Sequence, residues 1–128
     1  MDSLISGFKR FRRDVFPQQR ALFSKLADGQ KPSTMFITCA DSRVMPEMIL
    51  SAQPGELFVF RNVGNIVPPY GQQVSGVGAA IEYAVVVLKV RHLVICGHSD
   101  CGAMKALQAP ETLEHLPSVA GWLGHADV

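Results

Sequence analysis

The sequence predicts an α/β fold, with a parallel sheet core covered by helices and preceded by a helical arm. Three observations predict it. The runs Met35–Cys39, Leu57–Phe60 and Leu93–Cys96 are almost entirely apolar, as strands buried on both faces are. Stretches with helical apolar spacing separate them, and parallel strands need such crossovers. Cys39 and His98 fall at or just beyond the ends of two of these runs, where open parallel sheets place their ligand sites.

Taken in order, Leu4, Ile5, Phe8, Phe11 and Val15 recur at helical spacing, which predicts an amphipathic helix over Ser3–Val15. Pro17 suits the first turn of a second helix that turns Leu22, Phe23 and Leu26 inward and stops near Gly29. Residues 1–29 thus form an arm with little sheet of its own to cover, and its apolar face is expected to lie on a second subunit. Met35–Cys39 is the first strand, and Pro46 opens a short helix to about Leu50. Gln53-Pro54-Gly55-Glu56 has turn chemistry. Leu57–Phe60 is the second strand, followed by loops at 61–65 and 68–71. Val74, Val77, Ile81, Ala84, Val85 and Leu88 mark a long helix over about Gln72–Lys89. Gly76 and Gly78 weaken it locally or admit a close backbone. Leu93–Cys96 is the third strand, followed by a loop at 97–100 and a helix from about Cys101 to Leu107. Two shorter helical pieces end the chain, with Pro117 near the start of the second.

Composition narrows the function. At 128 residues with 48% hydrophobic content, the chain is read as one domain over 1–128, able to bury roughly two-thirds of its unfolded surface. Its net charge of +1, from 12 basic and 11 acidic residues, gives no general affinity for polyanions. The basic residues of Lys9–Arg20 alternate with Phe8, Phe11, Val15 and Phe16, so they read as a solvated helix face and not as a nucleic-acid patch. The longest apolar run, Ala84–Leu88, is too short to cross a membrane. Three cysteines with no visible targeting peptide suit reduced thiols in a cytoplasmic protein, with metal ligation as their leading use.

The chemistry gathers in two short motifs. His98-x-x-Cys101 sets a nitrogen and a sulfur ligand within one turn, and Cys39 can add a second sulfur from a neighbouring strand end. Two thiolates and one imidazole suit Zn²⁺, and three protein ligands leave a position for water, as catalytic sites do. Cys101 falls near a helix N-terminus, which favours its thiolate. If the chain stays extended past Cys39, then Cys39, Asp41 and Arg43 point into one space. Asp41 can accept a hydrogen bond from the water, with Arg43 holding it ionised through a bidentate pair. Alternatively Asp41 can take the fourth position and shut the site. A lone apolar-strand cysteine is usually core, which is the reading for Cys96, and His92, His115 and His125 read as structural or exposed. Only the conjunction of Cys39-x-Asp41-x-Arg43 with His98-x-x-Cys101 stands above such priors.

At these residues the chain resembles the β-class carbonic anhydrases, in their bacterial, plant-like branch. The matching stretches are Cys39–Arg43, Pro54-Gly55-Glu56, Arg61–Asn65, Gly78–Tyr83 and Gly97–Gly102, in family order. The resemblance implies zinc on Cys39, His98 and Cys101, the Asp41–Arg43 dyad beside it, and reversible hydration of CO₂ to bicarbonate and a proton. It further implies Gln30 as a hydrogen-bonding partner of substrate, and Phe58, Val63 and Tyr83 as the wall of the CO₂ pocket. It implies a homodimer at least, with the N-terminal helices embracing the partner. Family members continue past Val128, so the C-terminal strand or strands of the family fold are expected to be missing here, leaving apolar surface uncovered. Two other functions compete: a zinc-binding domain that is inactive, and a zinc hydrolase acting on carbonyl sulfide or carbon disulfide. A thiol phosphatase is disfavoured, because Cys39 to Arg43 is too short for its phosphate-cradling loop.

Overall fold

The computed structural model describes residues 1–71 and 74–126, and the chain divides into two compact units, Met1–Gln30 and Lys31–Val128.

In the first unit, α1 (Asp2–Arg10) runs on through a wider π turn at Phe11–Val15. A 3₁₀ turn at Phe16–Gln19 then carries Pro17 into α2 (Arg20–Ala27). Proline has no N–H to give, so it sits where helical donors are unpaired anyway. The rings of Phe11, Phe16 and Phe23 pack together with centroids 5.2 to 6.2 Å apart. No residue of these four elements is buried, and Leu4 and Phe8 remain 72% and 60% exposed.

The second unit holds a three-stranded parallel sheet of β1 (Thr34–Cys39), β2 (Leu57–Asn62) and β3 (His92–Cys96), in the order β2-β1-β3. Short α3 (Pro46–Ile49) lies between β1 and β2 in sequence. Between β2 and β3 come α4 (Gly76–Glu82) and a π turn at Tyr83–Val87, and α5 (Gly102–Gln108) and α6 (Pro117–Leu123) follow β3. The predicted α/β class and parallel sheet are therefore the observed ones.

The central place of β1 explains its burial, which is complete from Met35 to Cys39. Met35 and Ile37, two apart and on one face, pack with Val77 and Ala84. Phe58, Phe60, Ala80, Ile81, Val90 and Trp122 close around this cluster. On the opposite face Thr38 is fully buried, and its Oγ1 donates to the Cys96 carbonyl at 2.9 Å. That bond answers the cost of burying a hydroxyl and ties the ends of β1 and β3 together.

Apolar surface is left uncovered, as expected: β3 is an edge strand whose Leu93, Val94 and Ile95 stay exposed. Three expectations need correction. The long helix does not start near Gln72, which itself lies outside the described residues. It starts at Gly76, where the Ser75 side chain accepts a hydrogen bond from the Gly78 N–H at 3.1 Å and so caps the helix. Strand β2 runs on through Arg61 and Asn62, expected in a loop, because pairing with β1 continues to Cys39 opposite Asn62. Cys96 is half-buried and not a core residue, since the edge strand leaves it partly open.

Candidate metal centre

Strand β1 delivers Cys39 at the carboxyl end of the sheet, and the loop after β3 delivers His98 and then Cys101, the residue that caps α5. The sulfur of Cys39, a ring nitrogen of His98 and the sulfur of Cys101 all lie within 4.8 Å of one another. Both cysteines are buried and free, and their sulfurs are 3.9 Å apart. Two sulfurs bound tetrahedrally to one zinc at about 2.3 Å would be about 3.8 Å apart, so this spacing fits a shared ion.

His98 carries the second half of the fit. Its Nδ1 lies 2.8 Å from the Ser99 carbonyl, which makes Nδ1 the protonated donor. The other nitrogen, Nε2, is therefore left as a bare acceptor. Among the described residues it is a buried polar atom with no hydrogen-bond partner, 3.9 Å from Asp41 Oδ2. Buried orphan acceptors are costly, and a metal ion at this atom removes the cost. Such a backbone contact on the far nitrogen is also how ligating histidines are oriented.

The electrostatics agree. Burial pushes the Cys39 thiol up, but the N–H groups of Asp41 and Gly64 and the side chains of His98 and Cys101 outweigh it and bring the thiol down to about 7. The Cys39 sulfur in turn raises the His98 imidazole, against burial and with smaller help from the Ser99 carbonyl and Asp41. Each therefore favours the charged form of the other, a pairing in which a proton occupies the place that a metal ion would take.

Asp41 and Arg43 reach this space by a different route from the one expected. Strand β1 ends at Cys39, the Ala40 N–H still donates to the Asn62 carbonyl at 2.7 Å, and the chain turns from Asp41 on. The Arg43 N–H donates to Asp41 Oδ1 at 2.9 Å, closing an Asx turn, and Val44 N–H donates to the Asp41 carbonyl at 3.0 Å. The turn brings the Arg43 fork back onto the same carboxylate, with Nε on Oδ1 at 3.0 Å and Nη2 on Oδ2 at 2.7 Å. The Arg43 side chain, then its backbone N–H, hold the Asp41 carboxyl far below the usual carboxylate range.

Several supports lie in the matching stretch Arg61–Asn65 but were given no role from the sequence. Arg61 donates from Nε to the Cys39 carbonyl at 3.0 Å and from Nη2 to the Asp41 carbonyl at 2.6 Å, pinning the loop between them. A cation at the end of an otherwise apolar strand was the available signal. The Asn62 side chain bridges to Ile66 through two hydrogen bonds of 2.8 and 2.9 Å. That bridge holds the tight turn in which Gly64 adopts φ +79° and Asn65 φ 47°. A Cβ on Gly64 would lie 2.9 Å from Met104 Cε and 3.1 Å from Ala103 Cβ, so α5 packs against bare backbone there.

The remaining sequence-predicted residues fall into place unevenly. Phe58 and Tyr83 stack, with centroids 5.9 Å apart and planes 29° apart. Val63 is exposed, and its carbonyl accepts from Trp122 Nε1 at 2.7 Å. Gln30 is exposed and ends the N-terminal unit. His92 and His115 are exposed, and His125 packs against Trp122.

A family model described as Carbonic anhydrase matches residues 34–128. The chain is 56% identical to the carbonic anhydrase of Pseudomonas aeruginosa and 51% identical to carbonic anhydrase 1 of Escherichia coli O157:H7. Each match covers 99% of this chain but 58% of the relative. Among solved structures, the β-carbonic anhydrase CcaA superposes with a TM-score of 0.97 at 48% identity, over 99% of this chain and 62% of that one. A Coccomyxa β-carbonic anhydrase in complex with acetazolamide gives 0.81 at 35% identity, over 95% of this chain and 53% of that one. The chain thus spans little more than half the length of the curated relatives it matches. With the motifs, the sheet and the clustered Cys39, His98 and Cys101 in agreement, this chain belongs to the β-class carbonic anhydrase family.

Proposed function

We propose that this chain binds one zinc ion through Cys39, His98 and Cys101 and catalyses reversible hydration of CO₂ to bicarbonate and a proton. The observation that carries the reading is the orphaned, buried Nε2 of His98 beside two free thiols 3.9 Å apart. When bound, zinc supplies Lewis acidity and makes water acidic enough to serve as a nucleophile near neutral pH.

The chain's own residues do the positioning. Asp41 stays ionised and is therefore an acceptor only. Its Oδ1 is taken up by two Arg43 donors, and its Oδ2 is held by one. Oδ2 keeps acceptor capacity toward His98 Nε2, 3.9 Å away, where it can accept a hydrogen bond from a water and orient it. Arg43 fixes the direction of that acceptor. The stacked Phe58 and Tyr83, with Val63, offer an apolar wall suited to a substrate without a net dipole, and Gln30 is assigned a hydrogen bond to substrate. The Leu4 and Phe8 face of the arm is assigned to a partner subunit in a homodimer, and Sordaria macrospora β-carbonic anhydrases are tetrameric. Three free thiols suit a reducing cytoplasm. No helix among the described residues is long and apolar enough to cross a membrane.

Stopped-flow CO₂ hydration on metal-quantified full chain tests the reading. One zinc per chain and a hydration rate abolished by Cys39→Ser are expected. Full zinc with no turnover above the spontaneous rate would replace it with the inactive zinc-binding reading. A parallel panel with carbonyl sulfide and carbon disulfide fixes the substrate.

A further inference from the structure

Arg43 is gripped from two sides. Its inner edge forks onto Asp41, and its outer edge meets Asp100. Nη1 donates to the Asp100 carboxylate Oδ2 at 3.0 Å, and Nη2 donates to the Asp100 backbone carbonyl at 3.0 Å. Asp100 is itself tied to Lys105 on α5 by an ion pair through its other oxygen. Charges of alternating sign therefore run from Asp41 through Arg43 and Asp100 to Lys105, linking the loop after β1 to α5.

The backbone makes this possible. Asp100 has φ 56°, in the left-handed region, which Asp and Asn tolerate better than most residues. There the residue offers both its carbonyl and its carboxylate to one guanidinium. Energy cannot be the purpose of this arrangement. The Arg43, Asp100 and Lys105 side chains are 59%, 55% and 66% exposed, and exposed pairs contribute little to stability. Orientation is another matter. An arginine held only by Asp41 can swing with it, whereas one held on both edges keeps the carboxylate in a fixed place.

We propose that Asp100 is a positioning residue, which holds the Arg43 guanidinium from outside so that Asp41 keeps one orientation beside the Cys39–His98–Cys101 cluster. This rests on the proposed hydration reaction for its kinetic consequence but not for its geometric one.

The test uses Asp100→Asn and Asp100→Gly in the full chain, both of which accept a left-handed φ. Asn keeps a neutral side-chain acceptor, and Gly keeps only the backbone carbonyl. Solvent exchange of the Arg43 Nε–H, followed by ¹⁵N NMR, reads the grip without any turnover. It is expected to quicken by about tenfold in Asp100→Gly and less in Asp100→Asn, the scale of one lost charge-assisted hydrogen bond. With zinc content unchanged, kcat should fall in the same order and KM should stay within about twofold, since positioning acts on the reacting state. Exchange at the wild-type rate in Asp100→Gly overturns the proposal. So does a kcat loss that merely tracks lost zinc, which would make Asp100 a structural part of the ligand loop. An inactive wild-type chain would sink the hydration reading while leaving the exchange measurement to decide this one.

Discussion

Arg43 acts through its shape. Its planar fork meets both oxygens of Asp41, and a lysine would bring the charge without the fork. Arg43→Lys should therefore keep zinc at the wild-type level while CO₂ hydration falls by about tenfold or more, the scale of losing a charge-assisted bidentate pair. Zinc analysis and stopped-flow kinetics on one sample check both halves. Gly64 is a different case, in which backbone conformation and space coincide. Its φ of +79° and the 3.1 Å approach of Ala103 Cβ leave no room for a side chain. Gly64→Ala is expected to cost about 1–3 kcal/mol in chemical denaturation. It should also weaken metal binding, because the Gly64 N–H helps hold the Cys39 sulfur as thiolate. The types of these residues were legible in the sequence, since Cys39, Asp41, Arg43, His98 and Cys101 form a recognisable pattern. The partners of Arg61 and Asp100 were not, because each reaches across about 20 or more positions to atoms of another loop.

At the scale of elements, β1 organises the second unit because it lies between β2 and β3 and is paired on both edges. Its apolar run announced burial, and the burial is complete. The run Leu93–Cys96 looked the same in sequence but lies at the sheet edge, because periodicity reports affinity for a core and not which neighbours arrive. Thr38 shows how the strands are locked. Thr38→Val keeps volume but removes the donor to the Cys96 carbonyl. The cost should be about 1 kcal/mol, whereas Ile37→Ala, which opens a cavity under α4, should cost about 2–5 kcal/mol. Urea titrations of the two variants test that order. The helix start at Ser75 was missed because apolar spacing continues through Val74, while the cap alone marks where helical hydrogen bonding begins.

For the whole molecule, the proposed metal would be linked to the fold. The three candidate ligands come from β1, the loop after β3 and the cap of α5, so a bound ion cross-braces segments about 60 positions apart. A ligand that binds only the folded state adds about 4 kcal/mol when present at a thousand times its Kd. Chelation should accordingly lower the thermal midpoint by several degrees, reversed by adding zinc and absent in Cys101→Ser. Affinity should fall as pH drops, because both thiols must lose protons to bind and protons compete for the same sulfurs. Competitive chelator titrations at pH 8 and pH 6 read this sign directly.

The sequence by itself determined the α/β class, the order of strands along the chain and the residue types of the metal centre. Those follow from local rules: apolar runs, helical spacing, turn chemistry and the preference of thiolate and imidazole for a borderline-soft cation. Only the tertiary structure decided that β1 is central, that β3 is an edge, that Asp41 is aimed by a turn and not by an extended chain, and that Arg61 and Asp100 hold the loop. These depend on which distant segments meet, and contact between segments far apart in the chain is an outcome of packing that no short window of residues contains.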